Sequence, residues 1–280
     1  TVLAASSHAR DLEHCIAVQD TACRYSVAGR QWYDSYLAKL SSLVLRDEVR
    51  EQKENESYRV GNGGVLISAE HAALTEPLAV GRHAVAKARL AGREEVLVVG
   101  CGPVGLAVIA SLKAQGHGPV YAADFSPARR VMAEQLGADV VLDPQAGDPL
   151  TTRTWPKGGQ TVIFDCVGVA GMIDQLFSKA PQDARLVIVG VCLEIDHARP
   201  LIAVNKELNV QYVLGYSQAE FADTLKALAD GAFNVGDWIT GIVGLDGVEA
   251  AFEQLSSPEA QGKILVDPRR SGPRSVFLRR

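Results

Sequence analysis

Cysteine is scarce and poorly placed for cross-linking. The five thiols, at Cys15, Cys23, Cys101, Cys166 and Cys192, are odd in number and widely scattered, and no Cys-x-x-Cys occurs. A disulfide framework is therefore not expected. Long apolar runs are lacking too. The longest uncharged stretch, Val96 to Leu112, is interrupted by Gly100, Gly102, Pro103 and Gly105. It falls just short of the roughly 18 residues of a membrane span. There is no excess of positive charge: 28 Lys and Arg stand against 33 Asp and Glu, a net charge of −5. That balance argues against nucleic acid and against an anionic membrane surface as partners. The apolar opening Thr1 to Ala5 gives way at once to His8, Arg10, Asp11 and Glu13, unlike a secretory leader. No internal repeat or low-complexity tract is visible. A soluble protein of a reducing compartment, the cytoplasm, is the simplest expectation.

What is present points to a layered α/β protein. A chain of 280 residues suggests two domains at about 150 residues each. Apolar residues make up 47% of it, enough for a sizeable core. Glycine, at 26 residues, exceeds the roughly 7% background. Parallel α/β proteins use glycine at strand-to-helix turns.

From Glu95 onward the pattern is regular. Glu95–Gly100, Val120–Asp124, Asp139–Leu142, Thr161–Asp165, Arg185–Gly190 and Asn209–Leu214 read as strands. Short, nearly continuous apolar runs are what buried parallel strands require. Helical spacing fills Val104–Gln115, Ala128–Leu136, Gly171–Ala180 and Ser217–Asp230. Ser126-Pro127 caps the second of these, with proline at its first position. Gly137 stops that helix and Gly231 closes the last. Six strands alternating with helices predict a doubly wound parallel sheet. Beyond Gly236, Trp238–Val243 reads as a strand, Asp246–Leu255 as a helix and Lys263–Val266 as a last strand. The tail from Arg269 carries five arginines and reads as a solvated terminus. Near the start, Tyr33–Glu56 reads as one amphipathic helix, with Leu37, Leu40, Val44 and Val49 near one face. Arg50–Glu56 would be its solvated end. Asn62-Gly63-Gly64 is a turn signal.

One constellation carries chemistry. Gly100-Cys101-Gly102-Pro103-Val104-Gly105 follows a predicted strand and opens a predicted helix, the context a dinucleotide loop needs. Gly100 permits the tight turn, Gly102 admits a pyrophosphate to the backbone, and Gly105 lets the helix pack on the sheet. The helix N-terminus offers N–H groups and partial positive charge to phosphates. Asp124 lies 19 residues after Gly105, at the end of the second strand, where an acid accepts from ribose hydroxyls. A carboxylate there repels a 2′-phosphate, so NAD is expected rather than NADP. Arg129 and Arg130 just beyond can bind a 2′-phosphate, stack on adenine, or form a solvated helix face. A methyltransferase loop would want a further glycine where Val104 stands.

These residues resemble a family. Glu70–Val85, containing Thr-Glu-Pro-Leu, is similar to the helix that enters the cofactor domain in zinc-dependent medium-chain alcohol and polyol dehydrogenases. Val96–Leu106, Ala122–Arg130, Leu136–Asp139, Phe164–Gly168 and Gly262–Pro268 match the same family in order, so the resemblance covers about residues 69–268. It implies a Rossmann cofactor domain and hydride transfer between an alcohol carbon and nicotinamide, with zinc as Lewis acid on the alcohol oxygen. It implies that Glu76 lies beside the catalytic zinc and ligates it directly or through water. It implies that Gly100, Gly102, Pro103, Val104 and Gly105 cradle the cofactor phosphates, with Asp124, Phe125 and Arg129 at the adenosine end. Cys166, Val167, Val189 and Val191 would line the nicotinamide, with Leu214 and Gly215 near it. Relatives commonly pair their cofactor domains through the sixth strand, which implies a homo-oligomer.

The departure from the family is as informative. Its members carry an N-terminal substrate domain folded like GroES, with Cys-Gly-x-Asp and Gly-His-Glu supplying zinc ligands. Neither motif is in this chain, nor is the four-cysteine structural zinc lobe. Ser6-Ser7 stands where Cys-Gly would be, and His8, His14, Cys15 and Cys23 remain as candidate ligands. The expected organisation is a small, altered N-terminal region over residues 1–68, a Rossmann domain over 69–235, and a segment 236–280 returning to the N-terminal region. The expected function is an NAD-dependent alcohol or polyol dehydrogenase-like oxidoreductase. The alternative is an NAD-binding protein of the same fold without dehydrogenase activity, because the zinc ligand set is incomplete. One carboxylate does not hold zinc, so the chain is expected to bind NAD and retain little or no zinc.

Overall fold

The computed structural model describes residues 3–4, 49–52, 57–60, 65–235, 238–255, 262–267 and 276–277. It opens with β1 (Leu3–Ala4), β2 (Val49–Gln52), β3 (Ser57–Val60) and β4 (Val65–Ser68). The last three form an antiparallel sheet, with Val49 opposite Val60 and Val60 opposite Val65. This corrects the reading of Tyr33–Glu56 as one helix. Its charged end pairs as a strand, because hairpin partners 57–60 lie next to it in sequence. The rest of that stretch lies outside the described residues. The Asn62-Gly63-Gly64 signal falls between two paired strands, as a turn should, although the turn itself is not among the described residues.

The short α1 (Ala69–Ala72), capped by the Ser68 hydroxyl, leads into α2 (Thr75–Ala88). Then come β5 (Glu95–Val99), α3 (Pro103–Ala114), β6 (Val120–Ala123), α4 (Pro127–Gln135), β7 (Val140–Leu142), β8 (Thr161–Asp165) and α5 (Met172–Lys179). They are followed by β9 (Arg185–Ile188), α6 (Pro200–Asn205), β10 (Asn209–Tyr212) and α7 (Gln218–Ala229). The strand runs and helices expected from sequence are all present, and α6 is an addition. At six residues, Pro-Leu-Ile-Ala-Val-Asn, it is too short an apolar run to show a helical period.

Strands β5 to β10 form one six-stranded sheet in the order β10-β9-β8-β5-β6-β7, every pairing parallel. The chain winds outward twice from β5, so the order reverses between β5 and β8. This is the doubly wound α/β sheet expected. Alternate residues of the central strands feed two cores. Val96, Val98, Val162 and Phe164 pack with Leu78, Val85, Leu106 and Ile109. Leu97 and Ile163 face the other way, toward Trp155, Leu176, Phe177 and Leu186.

Two contacts fix α2 against the sheet. Gly81 lets it cross α3 closely, since a Cβ there would run into the backbone carbonyl of Ala107. At its far end Arg185 donates from Nη1 to the carbonyls of Ala88 and Arg89, both at 2.7 Å, and pairs through Nη2 with the buried Glu94.

The chain closes with β11 (Ile239–Val243), α8 (Val248–Leu255), β12 (Lys263–Val266) and β13 (Val276–Phe277). Their sheet has the order β1-β12-β11-β13. Val276 and Phe277 pair with Ile242 and Gly241, so this part of the tail is a sheet edge, not a free solvated end. Leu3 and Ala4 pair with Leu265 and Val266, which joins the two chain ends in one sheet.

Candidate functional site

The carboxyl ends of β5, β6, β8 and β9 meet where the strand order reverses, the place where open α/β sheets bind ligands. β5 ends at Val99, and the chain turns through Gly100 at φ +89°. A side chain at Gly100 would strike Val167, and one at Gly105 would land on the Gly100 carbonyl. Glycine is thus required at both, as the sequence predicts. Gly102 differs: no heavy atom lies within 4 Å of where its Cβ would be. The space above its backbone is open, which a phosphate needs. Helix α3 starts at Pro103 with no side-chain cap and no acid in its first turn. Its leading N–H groups remain available to an anion. The loop fits a dinucleotide pyrophosphate.

Asp124 sits one residue past β6 and is 9% exposed. One carboxylate oxygen accepts the Cys101 N–H at 2.7 Å, and the other accepts the Ser126 N–H at 2.8 Å. The acid therefore clamps the glycine loop to the end of β6. Each oxygen keeps acceptor capacity for a ribose hydroxyl. Cys101 is fully buried, and burial first, then the Asp124 charge, pushes its thiol up to about 12. It stays neutral and does not repel phosphate. Phe125 beside the clamp is 65% exposed, a bare ring next to the glycine loop's acid. Arg129 approaches Asp124, its Nη1 3.9 Å from the carboxylate. Arg130 is engaged elsewhere: it donates to the carbonyls of Asp124 and Phe125 and pairs with Asp143.

On the other side of the reversal, Asp165 ends β8. It is 1% exposed, and one oxygen accepts from Val167 N–H at 2.9 Å and Gly168 N–H at 3.4 Å. Burial raises its pKa above the usual carboxylate value. Asp165 shapes the turn that presents Cys166 and Val167. Sequence reasoning assigned it no role; the signal was an acid at a strand end three residues before Gly168. The backbones of Gly168 and Gly190 cross so closely that a Cβ on either would overlap the other strand's exit loop. That crossing brings Val167 and Val191, 40% and 63% exposed, beside buried Val189. Leu214 is exposed past the end of β10 and Gly215 follows at φ +59°.

Glu76 lies in the first turn of α2 and is half-buried. Lys263, the first residue of β12, is fully buried, and its Nζ has no hydrogen-bond partner. Burial pulls its pKa down to about 8, against the opposing pull of the Glu76 carboxylate. Lys263 falls in the matched stretch Gly262–Pro268, but nothing in the sequence attaches a role to it. Among the described residues no three His, Cys, Asp or Glu side chains gather as a metal site. Zinc does not fit the described residues: Glu76 offers one ligand beside a cation. His8, His14, Cys15 and Cys23 lie outside the described residues. No helix among the described residues is long and apolar enough to cross a membrane.

Comparison with known proteins agrees with this geometry. The zinc-binding dehydrogenase family matches residues 103–230. The chain is 34% identical to (R,R)-butanediol dehydrogenase of Bacillus subtilis over 205 residues, 72% of this chain and 59% of that protein. It thus spans about three-fifths of that relative's length. The crystal structure of the 2R,3R-butanediol dehydrogenase from Bacillus subtilis aligns with a TM-score of 0.64 at 35% identity, covering 72% of this chain and 59% of that one. A zinc-binding dehydrogenase from Sinorhizobium meliloti, bound to NADP, aligns at 0.62 and 26% identity over 75% of this chain and 64% of that one. With its ordered cofactor motifs, its reversed parallel sheet and these relatives, the chain belongs to the zinc-type medium-chain alcohol and polyol dehydrogenase family.

Proposed function

We propose that this chain binds NAD across the carboxyl ends of β5, β6, β8 and β9. The carrying observation is the open space over Gly102 at an uncapped helix start, with Asp124 clamped beside it. In this reading Gly100, Gly102, Pro103, Val104 and Gly105 cradle the pyrophosphate. Asp124 accepts from the adenosine ribose, Phe125 and Arg129 flank the adenine end, and Cys166, Val167, Val189 and Val191 wall the nicotinamide. A bound nicotinamide supplies the hydride chemistry; the protein supplies orientation and excludes water. The Asp124 carboxylate disfavours a 2′-phosphate, so NAD is preferred over NADP in this reading.

The substrate class in this reading is a small alcohol or polyol, and the activity is that of an alcohol or polyol dehydrogenase-like oxidoreductase. Residues 69–235 form the cofactor domain, 1–68 an altered remnant of a substrate domain, and 236–280 a segment returning to it. The pairing of β1 with β12 supports that return. The free thiols of Cys101, Cys166 and Cys192 favour a reducing compartment such as the cytoplasm. The exposed edge of β10, with Tyr212 and Leu214, favours a homo-oligomer built through the cofactor domain.

A second reading is an NAD-binding protein without dehydrogenase activity. Glu76 near the Lys263 ammonium, with no group of three metal-ligating side chains among the described residues, favours it. We expect the chain to retain little zinc and to turn over alcohols far more slowly than intact relatives. The test is metal analysis of the fresh protein, then zinc reconstitution and an NADH-formation assay on alcohols and polyols. About one zinc per chain, with turnover near 1–1,000 per second abolished by a chelator, would establish the full enzyme and ligands within residues 1–65.

A further inference from the structure

Arg130 is 17% exposed in its side chain, and both terminal nitrogens of its guanidinium are engaged within the protein. Nη1 donates to two successive carbonyls, Asp124 at 2.8 Å and Phe125 at 2.9 Å. Nη2 lies 3.0 Å from the Asp143 carboxylate, in the loop after β7. The two carbonyls follow Ala123, the last residue of β6, where the regular ladder stops supplying partners. The guanidinium replaces the missing strand and ties the corner to its neighbour. Arg129, next in sequence, is the opposite case: it reaches Asp124 only at 3.9 Å, and its Nε has no hydrogen-bond partner.

We infer that Arg130 is a positioning residue for dinucleotide discrimination: by holding the Asp124–Phe125 corner against Asp143, it fixes where the Asp124 carboxylate points. The inference rests on the NAD reading of the site. A carboxylate excludes a 2′-phosphate only while it cannot turn away. Loosening the corner shifts the backbone that carries Asp124 and Ser126, which pulls the carboxylate off its Cys101 and Ser126 N–H donors, lets it rotate out and leaves Arg129 to face the phosphate. Lysine is an incomplete substitute, because one ammonium cannot span two carbonyls and a carboxylate as a planar guanidinium does. Asp124 thus supplies the discriminating charge, and Arg130 keeps that charge in place without touching the cofactor.

The test is calorimetric titration of the whole chain with NAD and with NADP, for the unmodified protein, Arg130→Met, Arg130→Lys and Asp143→Asn. Preference of the unmodified chain for NAD by about tenfold or more, the scale of one charge-assisted hydrogen bond, tests the NAD reading itself. Arg130→Met should narrow the NAD-to-NADP affinity ratio about tenfold, chiefly by weakening NAD. Asp143→Asn should narrow it less, and Arg130→Lys should recover part of the loss. A merely structural role would lower both affinities together and leave the ratio alone. If Arg130→Met does not fold, the partly exposed Asp143→Asn decides. An unchanged ratio in the folded variants overturns the inference and leaves the NAD reading standing. An unmodified chain that does not distinguish the dinucleotides overturns that reading, and the inference with it.

Discussion

Replacing Asp124 by asparagine should cost stability and cofactor selectivity in two separable amounts. The carboxylate is nearly buried and accepts two backbone N–H groups, from Cys101 at 2.7 Å and Ser126 at 2.8 Å. Asparagine has one acceptor oxygen. It keeps one of those bonds in weakened form and turns its own NH2 toward the other donor. Hydrogen bonds to charged groups contribute about 1.5–3 kcal/mol each, and an unmet buried donor adds a penalty of about 1–3 kcal/mol. A loss of about 2–4 kcal/mol in unfolding free energy follows, measured without cofactor. Against a typical total of about 5–15 kcal/mol, the variant still folds. Urea unfolding should show a lower midpoint at unchanged slope. Titrations of the folded variant should then show weaker NAD binding and an NAD-to-NADP gap narrowed by about 1–2 kcal/mol. An unchanged urea midpoint would refute the clamp, and an unchanged gap would refute the ribose contact.

Three further outcomes are expected. Gly105→Ala should destabilise the fold sharply even without cofactor, because its Cβ lands on the Gly100 carbonyl; a soluble variant melting like the parent would contradict that. Burial would raise the Glu94 pKa, but the N–H groups of Ala91 and Arg93 and the Arg185 guanidinium hold it at about 2, down from 4.5. Its stabilisation, about 3 kcal/mol, is full above pH 4.5 and lost as pH falls toward 2. Glu94→Gln should therefore flatten the acid limb of a stability-against-pH profile. Lys263 carries the opposite sign, with a folded pKa of about 8 against 10.5. Lys263→Met should raise the urea midpoint at pH 7, the gain shrinking as pH climbs from 8 to 10.5.

The parallel sheet and its flanking helices were legible because their signals are local and redundant. Val96, Leu97 and Val98 are buried on both faces, so they read as an unbroken apolar run. Glycine appears where a Cβ would collide, and Ser126-Pro127 starts α4 by capping chemistry that sequence shows directly. The N-terminal strands were not legible. Val49–Gln52 is mostly polar and draws its strand character from pairing with Ser57–Val60, which a helical count of Leu37, Leu40, Val44 and Val49 cannot register. The glycine loop and the strand-end Asp124 were legible as a motif, whereas residues that act on backbone were not. Asp165 works by folding the Val167–Gly168 turn, and Arg130 by reaching two carbonyls, so neither role depends on a motif. Lys263 draws its unusual environment from burial near Glu76, 187 positions earlier in the chain.

The central claim is that a dinucleotide lies on the Gly100–Gly105 loop, and fluorescence titration of NADH into the whole chain tests it most directly. The paired control is Gly102→Val. Nothing within 4 Å opposes a Cβ there, so the variant should fold like the parent while its side chain fills the phosphate space. The account predicts saturable one-to-one binding of NADH by the parent and its loss in Gly102→Val at an unchanged urea midpoint. No saturable binding by the parent, or equal affinity in the folded variant, would contradict it.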